Sequence, residues 1–421
     1  MFERDFYLQR LVSFRGTAEL IKVITGIRRC GKSSLLELYS AYLANHGVKN
    51  SSILKINFED LEWSGIGSAS SLHDFIKKNK AKRGKTYVLL DEVQKVNEWE
   101  KAVNSLRLDR NLDLYITGSN TYMLNSSLST LLSGRYVEIK MLPLSFAEFL
   151  VFIGKARPRR SREEWFEQYM TQGGFPGLFV FNPGQGNDGP LKNRPAQNGL
   201  SLLFREYLSG IYNTVVMKDI ITMNQIRDVD ILEKIILFLA DNIGYVVSAK
   251  KIADYLTSTG RKVSSYTVDN YIKMLENAYL FYRVRRSDIK GKNLLSTNDK
   301  FFIVDLGLRW FLKGKQTDFG SALENIVYFE LLRKGYNVAV GKFDSLEIDF
   351  VASNETERIY VQVTSTMAEV RVRERELLPL KKIRDNYKKA VLSMDPPSPF
   401  TDIEGIFHYN IIDFLLGKAR L

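Results

Sequence analysis

The chain has 421 residues, 45% apolar and 26% charged, the make-up of a folded globular protein of two or three domains. Lys and Arg number 60 against 48 Asp and Glu, and the net charge of +12 fits a phosphate-rich partner such as nucleic acid without requiring one. No apolar run reaches the ~18 residues that cross a bilayer. The opening "MFERDFYLQRL" has acids where a secretory leader has an apolar core. The single cysteine, Cys30, excludes an internal disulfide framework, so a cytoplasmic location is expected. His46, His73 and His408 are too scattered for a zinc-type cluster.

In chain order, "IKVITGIRRCGKSSLLELYSAYL" reads as a β-branched strand, a glycine-rich turn and a helix. It holds Gly26-x-x-x-x-Gly31-Lys32-Ser33, the phosphate-binding loop pattern in its proper strand-to-helix setting. Over Gly26, Ile27, Arg28, Arg29, Cys30, Gly31, Lys32, Ser33 and Ser34, the glycines let backbone N–H groups close on phosphate oxygens. The helix behind them adds its positive amino end. Lys32 is expected at the β- and γ-phosphates and Ser33 at Mg²⁺. After a strand at "SILKINFED" and a helix at "SLHDFIKK" comes "TYVLLDEVQ", apolar on both faces and so buried in a parallel sheet. It ends in Asp91 and Glu92, at the strand end where such sheets bind ligands. Asp91 fits Mg²⁺ through its water shell, and Glu92 fits polarisation of the attacking water. "LDLYITGSN" ends in Ser119 and Asn120, placed to touch the γ-phosphate or that water. Arg135, just before the strand in "LLSGRYVEIK", is a candidate arginine finger acting in trans within a homo-oligomer; a structural surface arginine is the other reading.

Taken in order, "TGIRRCGKSS", "LLDEVQ", "YITGSN", "LLSGRYVEI", "PLSFAEFL" and "GGFPGL" resemble the archaeal and bacterial AAA-type ATPases. The resemblance runs from about Arg10 to the C-terminus. It implies ATP as the nucleotide, and a sheet with one strand inserted between those bearing the phosphate loop and the Asp-Glu pair. It also implies a C-terminal domain comparable with the PD-(D/E)XK nuclease fold. Lys32, Glu92, Asn120 and Arg135 are then the expected catalytic residues.

Beyond Gly173 a Gly-, Pro- and Asn-rich stretch reads as a long loop with an insertion at about 182–198. "LLFREYLSGIYNTVVMKDII" reads as helical, with Lys218 and Asp219 pairing at its surface. Residues 228–286 spell three short helices and an aromatic strand, a winged helix-turn-helix. Its third helix offers Ser264, Ser265, Tyr266, Asn270 and Lys273 to DNA, and its wing Arg283, Arg285 and Arg286. Asp269 and Glu276 on that helix weigh against DNA, and a protein-binding or lid module is the alternative.

In the last third, Glu324 on a helix, Asp349 on one strand and Gln362 on the next match the acid positions of the nuclease metal site. Thr364 stands where that site has its lysine, unless Lys342 or Arg373 swings in. A glutamine offers a cation an oxygen but no charge, so a catalytically silent domain is expected, with an active metal-dependent nuclease as the alternative. The expected architecture is α/β: an AAA-like P-loop domain (1–155), a helical lid (156–227), a winged helix (228–286) and a nuclease-like α/β domain (287–421). The expected activity is ATP hydrolysis coupled to the C-terminal half on DNA, or on a protein partner.

Overall fold

The structure is a computed structural model; it describes residues 4–118, 134–154, 160–179, 198–291, 298–314, 318–396, 402–419 and 421. Ser119, Asn120 and residues 182–197 of the expected insertion therefore lie outside the described residues. The chain forms two compact units, Met1–Pro143 with Asn277–Tyr279, and Leu144–Glu276 with Leu280–Leu421.

The first unit contains α1 (Asp5–Ser13), β1 (Ile21–Thr25), α2 (Lys32–Asn45), β2 (Ile53–Asn57), α3 (Ala69–Asn79), β3 (Thr86–Asp91), α4 (Trp99–Leu106), β4 (Leu112–Thr117) and β5 (Tyr136–Lys140). The five strands form one parallel sheet in the order β2-β3-β4-β1-β5. β4 thus lies between the phosphate-loop strand β1 and the Asp-Glu strand β3, as the resemblance implies. β1, β3 and β4 are buried along their whole length, because helices cover both faces. Val23, Val88, Leu90, Leu114 and Ile116 join Leu72, Ile76 and Val103 of the helices in one core.

The second unit opens with α5 (Phe146–Ile153) and α6 (Arg162–Gln172). α5 begins on a capping box: Ser145 accepts from the Glu148 N–H while Glu148 accepts from the Ser145 N–H. The sequence reading put α5 in the ATPase domain, but its Phe146 and Phe149 pack edge-on or tilted against Phe166 and Tyr169 of α6. α7 (Asn198–Asn213) continues into a π-helix, Thr214–Thr222. Then follow α8 (Val229–Asp241), β6 (Val246–Val247), α9 (Ala249–Ser258), α10 (Ser265–Asn277), β7 (Phe281–Val284), β8 (Arg286–Asp288), β9 (Asp299–Ile303) and α11 (Leu306–Lys313). β6, β9 and β7 make a three-stranded antiparallel sheet.

The remainder comprises α12 (Phe319–Arg333), β10 (Asn337–Phe343), β11 (Leu346–Ser353), β12 (Arg358–Val363), α13 (Val370–Lys382), β13 (Lys388–Ser393), β14 (Asp402–Ile403), β15 (Ile406–Asn410) and α14 (Ile411–Leu415). Its seven-stranded mixed sheet runs β14-β15-β13-β12-β11-β10-β8. The boundary expected at 286/287 falls inside β8, which pairs in parallel with β10, whereas β7 pairs with β9.

Candidate nucleotide site and a carboxylate cluster

β1 ends at Thr25, and the loop that follows reverses tightly enough to need left-handed backbone at Gly26 (φ 140°), Arg29 (φ 62°) and Gly31 (φ 106°). At Gly26 a Cβ would lie 2.1 Å from the Met141 carbonyl oxygen, so this position takes no side chain. Gly31 caps α2, whose first N–H groups have no helical partner and face outward. Lys32 is buried, and its ammonium donates to the carbonyls of Gly26 (2.9 Å) and Ile27 (3.2 Å), closing the loop on itself. Ser33 is exposed on the first turn of α2. Burial raises the pKa of the Cys30 thiol, which marks it as a packing group and not a nucleophile.

Two strands away, Asp91 and Glu92 are 6% and 7% exposed at the carboxyl end of β3. Thr117, which closes the intervening β4, holds both: its hydroxyl donates to Asp91 Oδ1 (2.5 Å) and accepts from the Glu92 N–H (3.0 Å). Glu92 has left-handed backbone (φ 53°), a strained state for a residue with a Cβ and one found at functional positions. Its carboxylate accepts from Gln94 Nε2 (2.5 Å), while the buried Oε1 of Gln94 has no hydrogen-bond partner among the described residues. An orphaned acceptor beside two acids makes a hard-oxygen set that fits a hydrated Mg²⁺ and a water.

Thr117 and Gln94 were missed in the sequence, although both sit in the quoted motifs "YITGSN" and "DEVQ". Arg4 was missed too. It is 4% exposed, and its guanidinium donates to the carbonyls of Cys30 (3.0 Å), Leu142 (2.9 Å) and Pro143 (3.4 Å) over the Tyr7 ring. It ties the phosphate loop to the chain that leaves β5. Arg135 is exposed, donates to Asn104 Oδ1 (3.4 Å), and gives its carbonyl to the Ile21 N–H at the amino end of β1. The phosphate loop leaves the other end of β1, roughly 15 Å away at 3.3 Å per residue.

A family model described as an AAA domain matches residues 18–150, and a domain of unknown function matches residues 195–318. An uncharacterised protein of Haemophilus influenzae is 43% identical over 418 residues, covering 99% of both chains. Residues 18–150 are an AAA domain, and the chain as a whole belongs to one family with this relative. An uncharacterised protein of Methanocaldococcus jannaschii is 30% identical over 369 residues, 85% of this chain and 77% of its own. Among solved structures, a Walker-type ATPase of Pyrococcus abyssi superposes with a TM-score of 0.50 at 16% identity, over 74% of this chain and 96% of that one, a likeness of fold.

In this AAA-domain protein the "GGFPGL" motif has a packing role. The Gly174 N–H donates to Asp305 Oδ2 (2.6 Å), and a Cβ on Gly173 would meet Asp305 Oδ1 at 1.9 Å. Burial pushes the Asp305 carboxyl up to about 6, against the opposing N–H groups of Gly174, Gly307 and Leu308.

The acids expected to bind a cation in the second unit do converge, beside a cavity of about 560 Å³. Glu324 comes from α12, and Asp349 from β11 with Glu347 two residues before it on the same face. Gln362 is turned to protein groups. Its Oε1 accepts from the Asp349 N–H (2.9 Å) and its Nε2 donates to Glu376 Oε2 (2.9 Å), so both ends are committed to protein groups. Asp349 Oδ2 likewise accepts from the Val363 N–H (2.9 Å). The cation brought to these acids is Lys300, from β9, and not Lys342 or Arg373. Its ammonium lies 3.0 Å from Glu324, 3.0 Å from Glu347 and 3.4 Å from Asp349. Burial alone would lower the pKa of Lys300, but Glu324, Asp349 and Glu347 outweigh it and raise it. Burial first, then Asp349, raises Glu324; burial also raises Asp349. Among the described residues no group of three or more His, Cys, Asp or Glu side chains is disposed to hold a metal ion. The donors at this place do not fit a divalent cation.

Of the expected DNA contacts, Ser264, Ser265 and Tyr266 are exposed at the start of α10, Tyr266 by 74%. Arg283 instead pairs with Asp269 (3.0 Å), Glu276 (3.1 Å) and Asp299 (3.7 Å), and Lys273 pairs with Asp269 (2.9 Å). Arg286 lies 3.6 Å from Glu347. No helix among the described residues is long and apolar enough to cross a membrane.

Proposed function

We propose that this protein binds and hydrolyses ATP with Mg²⁺, and that its nucleotide state sets how a winged helix and a catalytically silent nuclease-like domain engage DNA. The observation that carries the ATPase reading is the triad of strands in which Thr117 on β4 fixes both Asp91 and Glu92 beside the phosphate loop. Loop N–H groups and the α2 amino end cradle the phosphates. Lys32 exchanges the carbonyls of Gly26 and Ile27 for β- and γ-phosphate oxygens. Ser33, and Asp91 through the ion's water shell, would hold Mg²⁺, which would neutralise phosphate charge when bound. Glu92, steadied by Gln94, orients the water. Arg135, exposed at the far end of the sheet, reaches a γ-phosphate only from a second copy.

Helices α8–α10 with the β6-β9-β7 sheet have the order of a winged helix, and α12-β10-β11-β12-α13-β13 that of the nuclease-like unit. The DNA reading rests on the exposed polar start of α10 and the net charge of +12. The internal pairing of Lys273 and Arg283 favours a protein partner as the second reading. Anisotropy of a labelled duplex across a salt series, with ATP and with ADP, separates them. The expected result is binding that falls linearly with log salt and differs several-fold between the nucleotides. No binding at low salt removes DNA and leaves the protein partner.

A further inference from the structure

We propose that the Lys300 ammonium is a built-in cation that occupies the place of a divalent ion between Glu324, Glu347 and Asp349, and pins the three-stranded sheet to the seven-stranded one. The proposal rests on the reading of the C-terminal unit as nuclease-like and silent, and gives that silence a structural cause.

The ammonium meets one oxygen from each of three carboxylates on two elements, and the lysine side chain is 3% exposed. Lysine has three N–H donors, and three acceptors are supplied. The neighbouring polar groups are turned to each other and not to a ligand. Gln362 bridges the Asp349 N–H and Glu376, Asp349 Oδ2 serves Val363, and the Thr364 hydroxyl donates to the Thr366 carbonyl (3.2 Å). A divalent ion on the same oxygens would stand against the ammonium with like charge and little water between them, so the two exclude each other. Hard cations of this kind take six or more oxygens, and here the carboxylates are committed to nitrogen.

The lysine also belongs to a different sheet from the acids. Its backbone pairs with Val246 of β6 and Val284 of β7, while its side chain ends among residues of α12 and β11. Close by, the Tyr245 hydroxyl donates to Asp318 (2.8 Å), and a Cβ on Gly244 would lie 3.2 Å from Glu324 Oε2. The turn before β6 is thus packed onto the same corner. An inserted metal would have to displace Lys300 and loosen the contact between the sheets.

The test is Mn²⁺ uptake by the nucleotide-free full chain, read from the electron paramagnetic resonance signal of free Mn²⁺. Four proteins are compared: wild type, Asp349→Asn, Lys300→Met and the double variant. Wild type and Asp349→Asn should take up equal Mn²⁺. Lys300→Met should gain one site per chain, at least tenfold tighter than any in wild type, and the double variant should lose it. Uptake by wild type that drops by one ion on Asp349→Asn overturns the proposal, and so does a folded Lys300→Met that gains nothing. Should Lys300→Met fail to fold, the comparison of wild type with Asp349→Asn still decides. Plasmid incubated with Mn²⁺ separates the two claims. Asp349-dependent uptake without cleavage sinks the built-in cation alone, whereas Asp349-dependent cleavage sinks the silent-domain reading as well.

Discussion

Arg4 does for the phosphate loop what no residue of the loop does for itself. Its guanidinium satisfies three backbone carbonyls at once, from both sides of the junction between the loop and the end of β5. A planar fork of fixed donors suits that task and an ammonium does not. Arg4→Ala should therefore raise KM for ATP by about tenfold with a smaller fall in kcat, and Arg4→Lys should recover only part of it. Steady-state kinetics beside a thermal melt distinguishes this from general destabilisation. Asp305 makes a second prediction at this scale. Its folded pKa of about 6 lies above the unfolded carboxylate range, so the fold favours the neutral acid. Its contribution is present below the unfolded pKa near ~4 and lost as pH rises through about 6, a change of about 3 kcal/mol. Denaturant melts of wild type against Asp305→Ala should show a stability gap that narrows over that window. Of these residues the sequence displayed Lys32, Asp91 and Glu92, because the phosphate loop is a local pattern. Arg4, Thr117 and Gln94 were hidden, because each acts on a carbonyl or carboxylate defined only once the neighbouring chain is in place.

At the scale of elements, β1 and β4 carry an oddity in an otherwise apolar sheet. Lys22 and Asp113 are fully buried and paired at 2.5 Å, with the Thr17 carbonyl, the Gly16 N–H and the Tyr115 hydroxyl completing their bonds. Burial lowers the pKa of Lys22, with Asp113 opposing. Removing one partner strands the other charge, so Lys22→Met should cost about 3–5 kcal/mol. A double-mutant cycle with Asp113→Asn, read by denaturant melts, should return a coupling of at least about 2 kcal/mol; additive effects would contradict it. The parallel sheet was legible because strands buried on both faces read as continuous apolar runs. The path of β7, β8 and β9 was not. β8 leaves one sheet for another, and β9 carries Lys300 into a cluster whose acids lie 24 to 49 residues further along the chain. Lys342 and Arg373 lie near the acids in sequence, whereas the fold supplies the cation from another sheet.

For the whole molecule, the Haemophilus influenzae relative, matched over 99% of both chains, places the full chain, and not only its first third, in one family. The nucleotide-binding type of sheet at the front of the chain was readable from motif order. The edge of the first unit was not, because α5 is apolar enough to serve either neighbour and only its packing on α6 assigns it. The charge of +12 acts at this scale as well: any attraction to a polyanion should weaken steeply with salt. All of the coupling proposed here begins with the γ-phosphate. Phosphate release from ATP with Mg²⁺ by the full chain, measured beside Lys32→Ala, is therefore the most direct test. Wild type should turn over and Lys32→Ala should fall below about 1% of it. Turnover retained by a folded Lys32→Ala would contradict the site, and with it the account built on that site.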